Sequence, residues 1–480
     1  MKRQSPTGSR PAVPALLAAL ALAGCSTLQA PRTDTSAGVA LPAAWAASAP
    51  AGTVARGEPL AAWWSRFGDP TLTTLIGQAL AANTDVASAQ ATLRQSRALA
   101  DVAAAQLGPS ADVSGSAQRS KSQGFSASNV FRAGFDASWE PDVFGGNRAA
   151  RNAADLTAQR SAATLGDVQV SVAAEVAVTY LGLRSDEDRL AIAQRNLASQ
   201  QETLQITQWR VQAGLATSLE SEQARATVEQ TRAQLPALQK SIALARHQLA
   251  LLTGRTVEQL VLPAGGALPQ APADLALSFP AETLRQRADV RAAELRVSAA
   301  AQDVVQADAA RYPRFNLSGS LGLSALTLGG LTGGGAAIGS LLASVSLPVF
   351  DGGAGKAQVR AQQAALDAAR EAHRGAVLTA LKDVEDTLVA LARDRERLAS
   401  LRQAADAAAN AALLATQRYA SGLIDFQTVL VTQRAQLAAQ DSVASVEAEV
   451  VADHVRLYKA LGGGWSPDAA ALALTESSPR

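Results

Sequence analysis

Cysteine, histidine and aromatic residues are scarce in this sequence. Its 480 residues include one cysteine and three histidines, and aromatic side chains make up 4% of the chain. A lone cysteine excludes an internal disulfide. The histidines lie far apart in stretches that we interpret as helical: His247, His373 and His454. Because they lack the spacing of metal ligands, we expect solvated or interfacial side chains and no metal site.

Charge of one sign and long apolar runs are also missing. The chain has 43 Lys and Arg residues against 42 Asp and Glu residues, a net charge of +1. This balance gives no reason to expect a nucleic acid or an acidic partner. Beyond the first 24 residues, no apolar run reaches the ~18 residues that a transmembrane helix requires. The sequence therefore predicts no membrane-spanning helix.

Residue patterns typical of catalysis are not found either. No Ser/His/Asp or paired-carboxylate arrangement stands out, so we expect neither an enzyme nor a cofactor. The segment 351–356 resembles a phosphate loop, but Phe350 stands where glycine is needed and Ala357 where serine or threonine is needed. The segment has a counterpart around Gly145 and Arg148, so we interpret it as a strand-to-helix turn.

The N-terminus has the features of an export signal. A basic start is followed by a short apolar run, which predicts a signal peptide over residues 1–24. It ends in Leu-Ala-Gly-Cys25, which resembles a bacterial lipobox, and predicts N-acyl and S-diacylglycerol lipid on Cys25. Ser26 favours sorting to the outer membrane. The alternative is a cysteine that lies there by chance. Residues 25–56 are then a lipidated tether.

The remaining chain contains one pattern twice. Pro109 aligns with Pro313, 204 residues later, and Arg210 aligns with Arg418, 208 residues later. A repeat of this length indicates a duplicated half-domain rather than a solenoid unit. The two repeats cover residues 57–261 and 281–465. A linker rich in proline and glycine spans 262–280, and a flexible tail spans 466–480.

Each repeat contains two short segments of alternating apolar and polar residues. They lie at about 110–119 and 129–139, and at about 313–323 and 340–349. Such alternation over about ten residues is typical of a transmembrane β-strand, although a half-buried sheet gives the same pattern. Four strands cannot close a barrel, because single-chain barrels have at least about eight. If these strands span a membrane, several chains contribute to one barrel.

Two long helical stretches follow each pair of strands. They lie at about 148–212 and 218–253, and at about 354–419 and 425–461. Apolar residues recur every seven positions from Val176 to Val211, which predicts helices packed at a shallow angle. Pro236 should bend its helix. Shorter helices at about 70–106 and 281–311 precede the strands. Together the helices predict a rod, a bundle or a cylinder.

Several motifs make the chain resemble the outer membrane factor family, the TolC-like channels, and specifically the lipoprotein branch that serves efflux systems. Besides the lipobox, the resemblance is carried by Trp63-Trp64, Phe67 to Leu72, Trp139 to Gly146, Leu347 to Gly353, Arg418 to Gly422 and Leu457 to Trp465. It implies a mainly α fold with membrane β-strands. Three chains would form a twelve-stranded barrel in the outer membrane and a periplasmic tunnel of twelve helices.

The resemblance also implies a function and partners. The chain would be a homotrimeric, passive conduit that exports drugs or other small molecules. It would receive them from a periplasmic adaptor and an inner-membrane pump of the resistance-nodulation-division type. Alternatives are an outer membrane channel for type I secretion and, from another class, a lipid-anchored periplasmic coiled-coil scaffold.

The family closes its tunnel where the long helices turn back, here at 214–222 and 422–434. It commonly places an aspartate three residues before an arginine, but this chain reads Leu430-Val431-Thr432-Gln433-Arg434. An apolar gate at Val431 is therefore one hypothesis, and packing of Val431 between helices is the other. The resemblance makes the following residues gate or pore candidates: Thr217, Glu222, Tyr419, Asp425, Val431, Gln433 and Arg434.

Overall fold

The structure is a computed structural model in which residues 38–46, 53–54, 60–121, 123–124, 126–263, 265–272, 275–276, 283–284, 286–333 and 336–465 are described. The predicted signal peptide, Cys25 and the predicted tail lie outside these ranges, as do most of the tether and part of the linker. The described chain forms two compact units. One contains residues 93–161 and 293–373, and the other contains residues 38–92, 162–292 and 374–465.

The elements follow one another in two similar series. The strands are β1 (Thr53–Val54), β2 (Ser110–Ser120), β3 (Ser128–Trp139), β4 (Leu275–Ala276), β5 (Arg314–Ala325) and β6 (Ala336–Ser346). The α-helices are α1 (Pro70–Ala82), α2 (Thr84–Ala105), α3 (Gly146–Gln212), α4 (Ser218–Leu252), α5 (Ala288–Ala309), α6 (Ala354–Ala420) and α7 (Phe426–Ala460). A 3₁₀ helix spans Leu60–Phe67.

The first unit contains a four-stranded antiparallel sheet in the order β2-β3-β5-β6. One row across its apolar face joins Val113, Phe135, Leu321 and Gly339. The next row joins Asp112, Asp136, Ser320 and Ser340 on the opposite face. Since successive side chains alternate between faces, the pairing keeps one face apolar and the other largely polar.

The fourth strand differs from its prediction. It spans 336–346 instead of 340–349, so Leu347 and Val349 lie beyond it. Its partner β5 begins at Arg314, which pairs with Ser346, and nothing in the sheet remains to pair further along. Pro348 also has no N–H to donate to a ladder. The alternation that we interpreted as strand therefore continues into the following turn.

The long helices dominate the second unit. Helices α3 and α6 have 67 residues each, and α4 continues through Pro236 without a break. Residues of the seven-residue repeat lie in the core, among them Val176, Leu183, Val384, Leu391 and Leu398. Among the described residues, no helix is both long and apolar enough to cross a membrane.

The predicted lead-in helix over 70–106 is wrong in one respect, because it is two helices that meet at Asn83. The Asn83 side-chain oxygen accepts the backbone N–H of Asp85 at 2.8 Å and of Val86 at 3.3 Å. Its amide nitrogen donates to the carbonyl oxygen of Leu252 at 3.0 Å. Asn83 thus starts α2 and binds the end of α4. In the second repeat, the lead-in predicted over 281–311 is a helix from Ala288 to Ala309.

Candidate functional site: the helix turns

The turns that reverse the long helices have the same backbone geometry in both repeats. Gly214 and Gly422 each have a φ of 73°. The N–H of Leu215 donates to the oxygen of Arg210 at 2.8 Å, and the N–H of Leu423 donates to Arg418 at 2.9 Å. This is the hydrogen bond of a Schellman motif, whose left-handed residue is best supplied by glycine. The repeated Gly-Leu pair in the sequence therefore encodes two matching turns.

The residue that precedes the returning helix carries charge in only one repeat. Asp425 accepts the N–H of Thr428 at 2.8 Å and its hydroxyl at 2.7 Å, so it caps α7. These hydrogen bonds, with the hydroxyl first, hold the pKa of Asp425 below its usual range. Thr217 has the same position before α4, but its side chain makes no cap bond within the described chain. Glu222 is exposed on α4.

Tyr419 lies inside the chain, at the end of α6. Its side chain is buried, and its ring centroid lies 5.3 Å from that of Phe426. The guanidinium of Arg210 lies 4.6 Å from the ring centroid of Tyr419 and donates to its backbone oxygen at 2.7 Å. Arg210 therefore joins the end of α3 to the end of α6. Sequence reasoning did not select Arg210, although it marks the repeat together with Arg418.

Gln433 and Arg434 connect α7 to two other helices. The buried Gln433 amide donates to the hydroxyl of Thr203 on α3 at 2.9 Å. The Arg434 guanidinium donates to the hydroxyl of Thr227 on α4 at 2.9 Å. These two residues match the family pattern and position α7 against α3 and α4.

Val431 lies on the outer side of α7, between these two contacts. Its side chain is 54% exposed, whereas Val429 and Leu430 are buried. Within one chain, Val431 therefore does not pack between helices. A half-exposed valine next to the turn is available either to an open passage or to another copy of the chain.

A polar seam extends from the turns along α3 and α7, where the heptad pattern alone predicts apolar contacts. Arg189 donates to both carboxylate oxygens of Asp441, at 2.7 and 3.1 Å. Asn196 donates to the side-chain oxygen of Gln440 at 2.8 Å. A cavity of about 590 Å³ adjoins this seam, and buried Gln200 lines it. Neither amide atom of Gln200 has a hydrogen-bond partner among the described residues.

A second buried polar group lies between α6 and α7. His454 donates from Nδ1 to the oxygen of Val450 at 2.7 Å, which leaves Nε2 to accept from Arg395 at 2.9 Å. Burial, and then the charge of Arg395, lower the pKa of His454, so the ring is neutral and not solvated as we expected. Burial raises the pKa of neighbouring Asp453 to about 6, although Arg456 binds it at 2.7 Å. No cluster of metal ligands occurs in the described residues.

A four-stranded sheet with one apolar face, two helices of 67 residues and two matching turns define the protomer of a TolC-like channel. Residues 75–255 and 279–463 match the family model of the outer membrane efflux proteins. The chain belongs to the outer membrane efflux protein family. This confirms the family, the fold class and the efflux-channel function that the sequence motifs predicted, and it confirms the outer membrane as the location.

Curated relatives resemble the chain over most of its length. It is 33% identical over 462 residues to the pyoverdine export outer membrane protein OpmQ of Pseudomonas putida, covering 94% of this chain and 96% of OpmQ. It is 32% identical over 411 residues to the toluene efflux pump outer membrane protein TtgF of Pseudomonas putida, covering 84% and 85%. The two repeats therefore persist together in proteins named for the export of different compounds.

Solved structures agree with the fold. The outer-membrane channel OprN is 33% identical, with a TM-score of 0.83 over 91% of this chain and 98% of OprN. The open state of the Neisseria gonorrhoeae MtrE outer membrane channel is 27% identical, with a TM-score of 0.80 over 88% of this chain and 96% of MtrE.

Proposed function

We propose that this chain is the passive outer membrane conduit of a tripartite efflux system and performs no chemistry itself. The observation that carries the proposal is the family match over both repeats. An inner-membrane pump of the resistance-nodulation-division type would supply the energy, and a periplasmic adaptor would join pump and channel. The exported compounds would be small molecules, as the names of the toluene and pyoverdine relatives suggest.

The conduit is proposed to be a homotrimer. One chain supplies four strands to the sheet, and β2 and β6 remain its outer strands among the residues that the structure describes. Edge strands present unpaired N–H and C=O groups, which a closed barrel satisfies. Three copies would give twelve strands and, from the four long helices of each chain, twelve helices.

Ion conductance distinguishes this conduit from a lipid-anchored coiled-coil scaffold. Purified protein reconstituted into a planar bilayer should give discrete single-channel currents, because a closed barrel of several copies encloses water. Native mass spectrometry of the same preparation should give a trimer. A trimer without conductance would favour the scaffold. A conducting monomer would contradict the shared barrel.

Lipid on Cys25 is proposed on the basis of the lipobox alone. In a Cys25→Ser variant, metabolic labelling with radioactive palmitate should be lost, because the acceptor thiol is missing. Ser26→Ala, which keeps the thiol, is the matched control and should still incorporate the label. Palmitate retained by the Cys25→Ser variant would contradict the proposal. Two or more acyl chains would make the anchor stable.

An apolar constriction at Val431 is proposed for the closed end of the tunnel. Val431 stands where the family has a carboxylate, and its side chain points away from the packed interior of the chain. A ring of valines narrows a passage by excluding water, without charge. Charged groups near the turns, namely Asp425, Glu222 and Arg434, together with Thr217, are the alternative gate. Tyr419 and Gln433 would position the helices around it.

A further inference from the structure

Both edges of the sheet are accompanied by exposed apolar side chains. Beside β2, at the end of α2, Leu99 and Val102 are more than half exposed. Beyond β6, Val349 is 91% exposed and Phe350 is 93% exposed. Large apolar groups that are this exposed and lie next to unpaired strand edges indicate surfaces that are covered in an assembly.

The junction between the two repeats shows how such edges fit together. There β3 pairs with β5, with Ser138 opposite Ser318 and Asp136 opposite Ser320. Beyond the strands, the ring of Phe144 stacks on Tyr312 at 4.9 Å. A cavity of about 260 Å³ lies between the turn after β3 and the segment that joins α5 to β5. The junction therefore consists of a strand pair and an aromatic contact.

The repeat transfers this junction to the outer edges of the sheet. Ser110 pairs with Ser138 in the first hairpin, and Arg314 pairs with Ser346 in the second. Thus β2 corresponds to β5 at an offset of 204 residues, and β3 corresponds to β6 at an offset of 208. By these offsets, the internal pair of Ser138 and Ser318 becomes Ser346 and Ser114. The pair of Asp136 and Ser320 becomes Ser344 and Ser116.

We propose that β6 of one copy pairs with β2 of the next copy in this register, Ser346 opposite Ser114 and Ser344 opposite Ser116. The register keeps both faces continuous, because odd-numbered residues meet odd-numbered ones and even-numbered residues meet even-numbered ones. The contact is head-to-tail, so repetition of it closes a ring. This inference rests on the homotrimer proposed above and fixes how its copies join.

The same transfer assigns a role to Phe350. The position of Tyr312 at the internal junction corresponds to Gly108 at the junction between copies, so the aromatic ring is missing on that side. The lining residue Gln306 corresponds to Val102, which is exposed in the single chain. Val349 and Phe350, on the facing turn, would fill the space over Gly108 and Val102 of the next copy.

Cysteine pairs at four serines test the register. Two double variants, S114C/S346C and S116C/S344C, should give disulfide-linked trimers in non-reducing gels. The same positions combined diagonally, S114C/S344C and S116C/S346C, should not, because diagonal Cα atoms lie about 7–8 Å apart and disulfides need less than about 7 Å. Linking of the diagonal pairs, or of no pair in a protein that native mass spectrometry shows to be trimeric, would overturn the register. A parent protein that is monomeric would instead refute the proposed assembly itself.

The role of Phe350 is tested by the temperature at which trimers dissociate in detergent. Phe350→Ala should lower this temperature clearly, and Phe350→Trp should keep it near that of the parent. Leu328→Ala removes a comparably exposed side chain from the loop between β5 and β6 and is the matched control. Equal shifts for Phe350→Ala and Leu328→Ala would show that Phe350 does not cover the neighbouring copy.

Discussion

Replacing Arg184 with methionine should lower the free energy of unfolding by about 3 kcal/mol, the cost typical of removing one partner from a buried ion pair. The Arg184 side chain is 1% exposed. Its guanidinium binds Glu187 at 2.6 Å, the oxygen of Pro263 at 3.1 Å and the hydroxyl of Tyr180 at 3.1 Å. Methionine would fill part of the volume but leave these acceptors buried without their donor.

The loss should extend to the start of α1. The hydroxyl of Tyr180 donates to Asp69 at 2.8 Å, and Asp69 caps α1 by accepting the N–H groups of Thr71 and Leu72. Gly266 also depends on this contact, since a Cβ there would lie 2.8 Å from the carbon of the Arg184 guanidinium. One arginine thus connects α3, the linker and the N-terminal cap of α1.

Thermal unfolding followed by circular dichroism would measure the effect. Arg232→Met is the matched control, because Arg232 forms an ion pair with Glu229 in which both side chains are about half exposed. Such surface pairs contribute about 0–1 kcal/mol, so the control should unfold near the parent temperature. If both variants unfolded at the same temperature, the Arg184 cluster would not stabilise the fold as described.

Replacing Val431 with aspartate should make the channel sensitive to divalent cations. In the proposed trimer, three carboxylates would replace three valines around the narrow end of the tunnel. Carboxylate oxygens are the ligands that Ca²⁺ and Mg²⁺ prefer, and weak sites of this kind bind in the range of about 0.1–1 mM. We therefore expect single-channel current to fall by half or more at about 1 mM divalent cation, with little effect on the parent.

Planar-bilayer recording with and without divalent cation would measure this block. Leu244→Asp is the matched control, because it adds the same charge at an exposed apolar position of α4 that is remote in sequence from both turns. The control should show no block. An unblocked Val431→Asp channel would show that residue 431 does not face the passage, and the second hypothesis, contact with another helix, would then apply.

The sequence predicted the long helices well because their pattern is local and extended. Seven-residue spacing from Val176 onward specifies both the helix and its buried side. The ends of shorter elements were less accessible. The end of β6 depends on where β5 begins, and the break at Asn83 depends on a hydrogen bond to Leu252, 169 residues away. Neither partner can be read from the local pattern.

The candidate site shows the same division. The resemblance selected Tyr419, Gln433 and Arg434 correctly as residues of the turn region, yet the structure places them in contacts between helices. Arg210 was missed because its partner, the backbone oxygen of Tyr419, has no signature in the sequence. The asymmetry between Thr217 and Asp425 was visible in the sequence, but the capping bonds of Asp425 appear only in the structure.

The sequence by itself determined the duplication, the alternating strands, the heptad helices and the family, because each is written in spacings between neighbouring residues. The tertiary structure decided which polar side chains are buried and what they bind, as at Arg184, Gln433 and His454. It also decided the register of the sheet, and through the repeat, the register that we propose between copies. These features depend on residues far apart in the chain, so local periodicity does not specify them.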